Sequence, residues 1–391
     1  MACGTSGCRC PVPVDKRFIH KQTTSLLRER SQPIMKQYAK TLLVSAMAAA
    51  SGAASAETPT LGEVLGASGI EISGYIDTSY TYATDGAVTN RVFDTEDNSF
   101  NLNMIGLSIS SLPEEGFGGA VVLNAGEDAD VTAAAGTSGS DQFDVQQAYL
   151  NYASGPAQVM FGKFATLQGA EVIESKDNWN FSRSILFGFA IPFTHTGLRG
   201  SYAISDAVSV TAGINNGWDN LKDDNDAKSL EVQVSFAPAD NWFVNVQGMY
   251  GNEVVGGRSE LRTLVDIVAG FDVSDALSFM FNADFGSQED AFGGSKDADW
   301  TGYAGYVNFK FAPQWRVAGR LEYFNDDDGF RSGTSQKWKE GTVTLAYAPM
   351  KAVELRGEVR RDWSNKDSFF DDKGKAQDDQ TTLAVEALYM F

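Results

Sequence analysis

The last eleven residues, Thr381-Thr382-Leu383-Ala384-Val385-Glu386-Ala387-Leu388-Tyr389-Met390-Phe391, carry the pattern that decides the fold. The odd positions from Leu383 to Phe391 are Leu, Val, Ala, Tyr and Phe, whereas Thr382, Glu386 and Met390 lie between them. Because side chains alternate between the two faces of a strand, this period of two predicts a β-strand with one apolar face. A strand at the end of a chain also needs a partner for its free edge.

Two interpretations of this strand are open at this point. An amphipathic strand with Tyr389 near its end and Phe391 as the last residue resembles the closing strand of bacterial outer-membrane β-barrels, whose assembly machinery reads such an aromatic terminus. The same alternation is also typical of a C-terminal strand in a soluble sheet. The rest of the chain has to decide between them.

Residues 35–56 have the three parts of a secretory signal peptide. A short basic region with Lys36 and Lys40 precedes an apolar run at residues 41–50, and Ala54-Ser55-Ala56 follows as a small-residue cleavage site. The apolar run is too short to cross a bilayer. We therefore expect export of the chain and removal of this segment.

Residues 1–34 differ in composition from the remainder and precede a second start residue, Met35. We interpret them as an over-extended start or as a leader removed with the signal peptide. All three cysteines, at positions 3, 8 and 10, lie there, so the predicted mature chain from Glu57 has none. An exported chain without disulfides needs another source of stability, and a closed barrel provides one.

The charge of the mature chain argues against nucleic acid as a partner. Removing residues 1–56 takes away eight basic and two acidic side chains, which changes the net charge from −20 to −26. Nucleic-acid binding depends on cationic surfaces. No apolar run near 18 residues follows Glu57, so no membrane-spanning helix is predicted, but a membrane strand needs only about 9–11 alternating residues.

Residues 70–391 have the organisation of a repeated hairpin, after a short periplasmic segment at 57–69. Seven short turns rich in Pro, Gly, Ser and Asp recur near residues 113–115, 154–156, 205–206, 238–240, 274–275, 313–314 and 349–351. Longer polar loops separate them, near residues 83–98, 126–141, 166–194, 217–228, 252–260, 287–298, 325–336 and 364–377. This alternation predicts an all-β fold, a transmembrane antiparallel β-barrel of sixteen strands.

The direction of the apolar face favours lipid over a soluble core. On the predicted strand that begins at Trp315, apolar residues alternate with Arg316, Arg320 and Glu322, which places several charges on one face. Aromatic residues also cluster at strand ends, as the interfacial girdles of membrane barrels do; they are Trp242, Phe271, Phe311, Trp315 and Trp363. Short turns on the periplasmic side and long loops outside complete the pattern. A Gram-negative-type outer membrane is the predicted location.

The third long loop, at residues 166–194, is the longest and contains many aromatic side chains. An apolar stretch runs from Ile185 to Phe193 within it. A loop of this kind buries its aromatic groups by folding into the barrel or by packing on the wall. We expect it to fold inward.

Residues 178–199 also carry a family resemblance, together with Gln147-Ala148-Tyr149-Leu150 and Phe161-Gly162-Lys163-Phe164. They are similar to the putative β-barrel porin-2 family, the OmpL-like outer-membrane proteins. The resemblance covers nearly all of the mature chain and is strongest at residues 140–217. It implies an outer-membrane porin and brings no substrate-binding residues with it.

A porin of this kind is expected to pass small hydrophilic solutes or ions by passive diffusion, with the inward loop narrowing the channel. By alternation and position, the residues predicted to line or narrow the pore are Glu171, Glu174, Asp177, Arg183, Arg199, Arg262, Arg316, Arg320, Glu322, Glu354, Arg356, Glu358 and Arg360. We hypothesise that arginines of the late strands face acidic residues of the loop and set a field across the pore. The alternative is ion pairing between neighbouring strands, without effect on flow.

Other functions make different predictions. A plugged barrel that acts as an adhesin or scaffold would pass no sugars, and a secreted soluble protein would need no detergent. An outer-membrane hydrolase is the enzymatic alternative, but His195 stands without a nucleophile motif and is expected to make a structural hydrogen bond. No catalytic residue, cofactor or metal site is predicted, although the acidic loops could bind divalent ions weakly. Expected partners are outer-membrane lipid, lipopolysaccharide, the assembly machinery and, by analogy with sixteen-stranded porins, two further copies.

Overall fold

The computed structural model describes residues 61–135 and 141–391. The predicted leader, the signal peptide and the three cysteines lie outside these residues. A helix, α1 (Leu61–Ser68), precedes the first strand and falls within the segment expected to be periplasmic. None of the helices in the described ranges has the length and apolar character to span a membrane.

A closed barrel of sixteen antiparallel strands accounts for most of the described residues, and each strand pairs with its neighbours in the sequence. A short helix, α2 (Glu127–Thr132), and a two-residue strand pair, Phe369–Phe370 with Ala376–Gln377, lie in the loops. The barrel strands are β1 (Glu71–Ala83), β2 (Ser99–Ser111), β3 (Gly116–Ala125), β4 (Phe143–Ser154), β5 (Ala157–Ala165), β6 (Thr194–Ala203), β7 (Val208–Asn215), β8 (Ser229–Ala239), β9 (Trp242–Val255), β10 (Arg258–Asp272), β11 (Leu277–Gln288), β12 (Ala298–Ala312), β13 (Trp315–Asp326), β14 (Gln336–Met350), β15 (Val353–Ser364) and β16 (Asp379–Met390).

The closing strand β16 pairs with β1, as its sequence predicts. The register runs antiparallel from Tyr75 opposite Met390 to Ala83 opposite Thr382. Phe391 extends the pairing, because its backbone N–H and carbonyl each bond to Gly74 at 2.9 Å. The seam therefore leaves no free strand edge, which is the condition that a membrane barrel must meet.

Gly74 is required where the terminal ring crosses the seam. A Cβ atom at this position would lie 2.5 Å from Cζ of Phe391 and 2.8 Å from the carbonyl oxygen of Gly106. We expect Gly74→Ala to lower the free energy of unfolding by about 1–3 kcal/mol, the usual cost of overpacking, when measured by urea titration in detergent micelles. Gly357→Ala is the matched control, because a Cβ there meets nothing within 4 Å; equal losses in the two variants would contradict the packing argument.

The two faces of the barrel differ in the way that the alternation predicts. Outward side chains are apolar and exposed, and Phe100 and Leu321 reach 88% and 71% exposure. Rings also pack together at the short-turn end, where Trp315 stacks on Tyr347 with centroids 4.4 Å apart. Inward positions carry polar and charged side chains that are largely buried. An apolar surface of this extent fits a hydrocarbon environment outside and a polar lumen inside.

One predicted loop is wrong. Residues 252–260 were expected to form a polar loop, but β9 and β10 continue through them to a two-residue turn, Gly256-Gly257. Both glycines have positive φ, 58° and 79°, which a tight hairpin turn with the natural strand twist requires. The strict alternation of short turns and long loops is therefore broken at this one connection of the barrel.

The largest hydrophobic cluster lies inside the barrel. It joins wall residues such as Trp300, Phe324 and Trp338 to side chains of the loop between β5 and β6, including Leu186 and Phe187. The sequence predicted that this loop buries its aromatic residues. The barrel interior thus contains both a polar wall and an apolar core supplied by a loop.

Candidate functional site

The loop between β5 and β6, residues 166–193, is here called the inner loop. It begins and ends at one point of the wall, because the backbone N–H of Thr166 donates to the carbonyl of Phe193 at 3.0 Å. Between these ends it contains a 3₁₀ turn at Ser175–Asp177 and one turn of π-helix at Leu186–Ala190. Its contacts include lumen-facing side chains of the late strands β13 to β15, far from β5 and β6 in the strand order, so it crosses the barrel interior.

His195 fixes the base of the inner loop. Its ring is fully buried, Nδ1 lies 3.1 Å from the carbonyl oxygen of Gly217, and Nε2 lies 3.2 Å from the hydroxyl of Thr166. The carbonyl can only accept, so Nδ1 carries a proton and donates it to Gly217. This is the structural hydrogen bonding that the sequence analysis expected of His195.

Arg320, on the lumen face of β13, is the main attachment point of the inner loop. It is 1% exposed, and its Nη1 lies 2.7 Å from Glu171 and 2.6 Å from the carbonyl oxygen of Ser182. Its Nε lies 2.8 Å from Glu340 on β14 and 3.1 Å from Glu322 on its own strand. The guanidinium therefore joins two strands and two parts of the loop in one network of charge-assisted bonds.

Two wall glutamates bind backbone N–H groups of the inner loop. Glu358 accepts from Phe181 at 2.8 Å and from Ser182 at 3.0 Å. Glu322 accepts from Ile185 at 3.1 Å and from Leu186 at 3.2 Å. Because a buried backbone donor without a partner is costly, these carboxylates replace the partners that a strand or helix would supply.

Arginines of β13 and β15 bind the loop's carbonyl groups. Arg356 donates to the carbonyls of Ser175 and Asn178, each at 3.1 Å, and lies 3.0 Å from Glu386 on β16. Two further arginines do the same: Arg360 reaches the carbonyl of Arg183 at 2.7 Å, and Arg316 reaches that of Trp179 at 2.6 Å. The wall thus presents carboxylates to loop donors and guanidiniums to loop acceptors.

The predicted arginines of the late strands, here called the ladder, are Arg316, Arg320, Arg356 and Arg360. They face the inner loop, but they mostly bind its backbone carbonyls. Of the three acidic loop residues, only Glu171 contacts it. Glu174 instead accepts from Gln146 at 3.0 Å, and Asp177 pairs with Lys176. The alternative, ion pairing between neighbouring strands, is also present, in Arg320–Glu340 and Arg356–Glu386.

The remaining predicted site residues have separate partners. Arg183 holds the loop's own shape by donating to the carbonyls of Ile173 and Phe181. Arg199 forms a two-pronged ion pair with Glu231, at 2.9 and 2.7 Å, far from the ladder along the strand order. Glu354 lies 2.6 Å from both Arg316 and Arg356. Arg262 lies at the long-loop end of β10, away from these contacts.

Apolar packing fixes the second half of the inner loop. Phe189 meets Trp338 with ring centroids 5.2 Å apart. The indole N–H of Trp300 donates to the carbonyl of Ala190 at 3.0 Å. Fully buried Leu186 belongs to the same cluster. This end of the loop is therefore held by both dispersion contacts and a hydrogen bond.

Burial changes the acidity of carboxyl groups in the loops that fill the barrel. It raises the pKa of Asp128, in α2, to about 7, against an opposing effect of Arg183. It also raises the pKa of Glu174, which Lys176 partly offsets. Desolvation disfavours the charged form in both cases. The negative charge of Asp128 is therefore smaller near neutral pH than the sequence count implies.

The acidic outer loops use their carboxylates to shape turns. Asp326 accepts the backbone N–H groups of Phe330, Arg331 and Ser332, between 2.7 and 3.1 Å. Asp371 accepts those of Lys373 and Lys375. Across residues 61–135 and 141–391, no group of three or more metal-ligating His, Cys, Asp or Glu side chains is found.

Sequence reasoning missed several contacts of the inner loop. Asn282 accepts the N–H of Ala170 at 3.0 Å, and Asn180 donates to Thr344 at 2.7 Å. Glu340, which completes the Arg320 network, was also missed. All three wall residues, Asn282, Glu340 and Thr344, lie on lumen faces by simple alternation. Alternation was the available signal, but it does not identify which inward residues meet the loop.

Comparisons with known proteins agree with this architecture. The family model described as "Putative beta-barrel porin-2, OmpL-like" matches residues 69–391. No curated protein matches the sequence.

Solved structures with the same fold include the outer-membrane channel DcaP of Acinetobacter baumannii, with TM-score 0.58 and 15% identity over 82% of this chain and 97% of that one. The anion-selective porin from Comamonas acidovorans has TM-score 0.57 and 12% identity, covering 82% and 99%. OmpT of Vibrio cholerae, in its trimer form, has TM-score 0.57 and 13% identity, again covering 82% and 99%. At these identities the similarity shows the fold.

Proposed function

Because the chain belongs to the putative β-barrel porin-2, OmpL-like family of outer-membrane porins, we propose that it forms a narrow water-filled channel whose width is set by the inner loop. Small hydrophilic solutes or ions would cross it by passive diffusion. The path would run between the inner loop and the part of the wall that the loop does not contact. Family membership supports the porin function, and the constriction is the further step proposed here.

The observation that carries the proposal is the set of bonds from the wall to the inner loop. Arg320, Glu322 and Glu358 hold the loop from three positions, and each of these side chains is at most 6% exposed. A loop held in this way cannot leave the lumen without separating several buried charges from their partners, which costs free energy. It therefore stands as a fixed obstacle, and we expect open-channel current without large loop-driven fluctuations.

The lining supports a polar solute. Polar side chains from three neighbouring strands meet on the inward faces of β8 to β10, where Gln233, Gln247 and Asp266 follow one another across the strands. Such a lining replaces part of the hydration of a polar solute and disfavours an apolar one. The thirteen predicted pore residues remain candidates, and six of them are assigned to holding the loop: Arg316, Arg320, Glu322, Arg356, Glu358 and Arg360.

A plugged barrel is the second candidate, because one observation favours it. Wall residues distant from the ladder, including Asn245, Asp266 and Asp284, are fully buried as well. In this second interpretation, the loops fill the lumen and the protein acts as an adhesin or scaffold. Catalysis is not proposed, since His195 is engaged between Thr166 and Gly217.

Liposome swelling separates the two candidates. Proteoliposomes that contain the purified protein should swell in arabinose and more slowly in sucrose, because a narrow channel discriminates by solute size. The control is a liposome prepared with the same amount of heat-denatured protein. Glycine, a smaller solute, is tested as well. If swelling in arabinose, sucrose and glycine is no faster than in this control, the channel is rejected and the plugged barrel is favoured.

The expected partners follow from the barrel surface. Outer-membrane lipid covers the apolar face, and the aromatic end at Tyr389 and Phe391 fits recognition by the assembly machinery. The trimer form of the structurally similar OmpT supports a homotrimer by analogy of fold. We also propose lipopolysaccharide as a contact of the acidic outer loops.

A further inference from the structure

Two arginines flank an indole ring at the long-loop end of the barrel. Arg262, near the start of β10, has its Cζ 4.9 Å from the ring centroid of Trp218. Arg331, in the loop after β13, lies at the same 4.9 Å distance from Trp218. Arg262 also lies 5.4 Å from the Phe330 ring, and Arg331 lies 5.4 Å from the Trp300 ring. Aromatic faces, which attract cations, thus hold both guanidiniums.

Each guanidinium uses only its Nε to bind the protein. Nε of Arg262 donates to the side-chain oxygen of Gln288 at 2.7 Å, and Nε of Arg331 donates to the carbonyl of Phe189 in the inner loop. Within residues 61–135 and 141–391, neither arginine has an ion pair, and the outer N–H groups of both have no protein acceptor. Both side chains are half-buried. The outer N–H groups of each guanidinium, here called a donor fork, therefore remain available to bind a ligand at the long-loop end of the barrel.

The nearby carboxylates are engaged elsewhere. Glu253 accepts the N–H of Trp218 at 2.9 Å, and Asp219 accepts that of Thr194 at 2.9 Å. Asp326 is occupied by the N–H groups of its own loop, among them that of Arg331. These carboxylates reduce the local positive charge, but none of them accepts a hydrogen bond from either donor fork.

Burial and a neighbouring cation both change the acidity of Arg331. Burial, followed by the positive charge of Arg262, lowers the pKa of Arg331 to about 10. Like charges held together disfavour each other's charged form. Both remain protonated at neutral pH, so a strongly acidic chain keeps a cationic pair at the end of its channel.

We propose that Arg262 and Arg331 form a binding site for the carboxylate groups of small organic acids at the outer mouth of the barrel. A guanidinium fork matches a carboxylate in two parallel hydrogen bonds. Two forks, one from each arginine at the Trp218 ring, suit a dicarboxylate, and the rings of Trp218, Trp300 and Phe330 hold the forks in place. The site would raise the local concentration of such anions above the inner loop. This carboxylate site requires the folded barrel, but it does not require that the barrel conduct ions or solutes.

Isothermal titration calorimetry of the detergent-solubilised protein with succinate tests this site. The wild-type protein should bind one succinate per chain at low ionic strength. Arg331→Gln and Arg262→Gln should each weaken binding by at least about tenfold, because each removes one charge-assisted fork. The uncharged analogue succinamide should give no binding heat.

Arg258→Gln is the matched control. Arg258 lies on the same strand as Arg262, is exposed, and pairs with Asp290 at 3.1 Å, so its replacement removes the same charge outside the site. It should leave succinate affinity within about twofold of wild type, since exposed charges interact weakly. Absence of succinate binding to the wild type, or equal weakening in Arg258→Gln, would overturn the proposal. Because binding is measured without a membrane, a barrel that fails to conduct would still give a clear answer.

Discussion

Arg320→Ala should detach the inner loop from the wall, raise single-channel conductance and destabilise the barrel. The variant leaves three carboxylates, Glu171, Glu322 and Glu340, without the guanidinium that joins them. Removing one member of a buried charged network typically costs about 3–5 kcal/mol. We expect the loop to move away from β13 and the open-channel current to become larger and noisier.

Planar-bilayer recording and urea unfolding measure the two parts of this prediction. Arg361→Ala is the control, because Arg361 is exposed on the outer face of β15 and pairs with Asp379 at 2.9 Å. It should change neither conductance nor stability beyond about 0.5 kcal/mol. A stable Arg320→Ala barrel with the wild-type current would contradict the role given to Arg320.

Most of the fold follows from local pattern. The alternation in β16 and the Pro- and Asp-containing turns specify faces and strand ends, because a side chain on a strand has only two directions to point. The exception is Gly256-Gly257. Glycines next to the polar run Arg258-Ser259-Glu260 gave it the composition of a loop, whereas the conformational freedom of two glycines allowed a tight hairpin.

The site was predictable only in part. Alternation identified the inward face of Arg320 and Arg356, and the aromatic content of residues 166–193 indicated that they would be buried. The partners were not predictable, because backbone carbonyls and N–H groups of a folded loop carry no sequence signature. Glu322 and Glu358 were therefore assigned to the pore lining, whereas their carboxylates bind loop N–H groups.

Deleting residues 170–191 should give the largest change in conductance. The ends of the inner loop meet at the Thr166–Phe193 hydrogen bond, and His195 anchors this point from β6. A short Gly-Ser linker can therefore close the gap while β5 and β6 keep their pairing. The wall pairs Arg320–Glu340 and Arg356–Glu386 remain and compensate each other's charge. Water replaces the deleted loop, and the ion path widens.

If the inner loop sets the width of the channel, single-channel conductance must differ between the wild type and the deletion variant in the same planar bilayers. Circular dichroism of both proteins should first show the same β-sheet signal. We expect a small, steady wild-type conductance and a conductance several-fold larger after deletion. Equal conductance in the two proteins, or no current through a folded deletion variant, would contradict it.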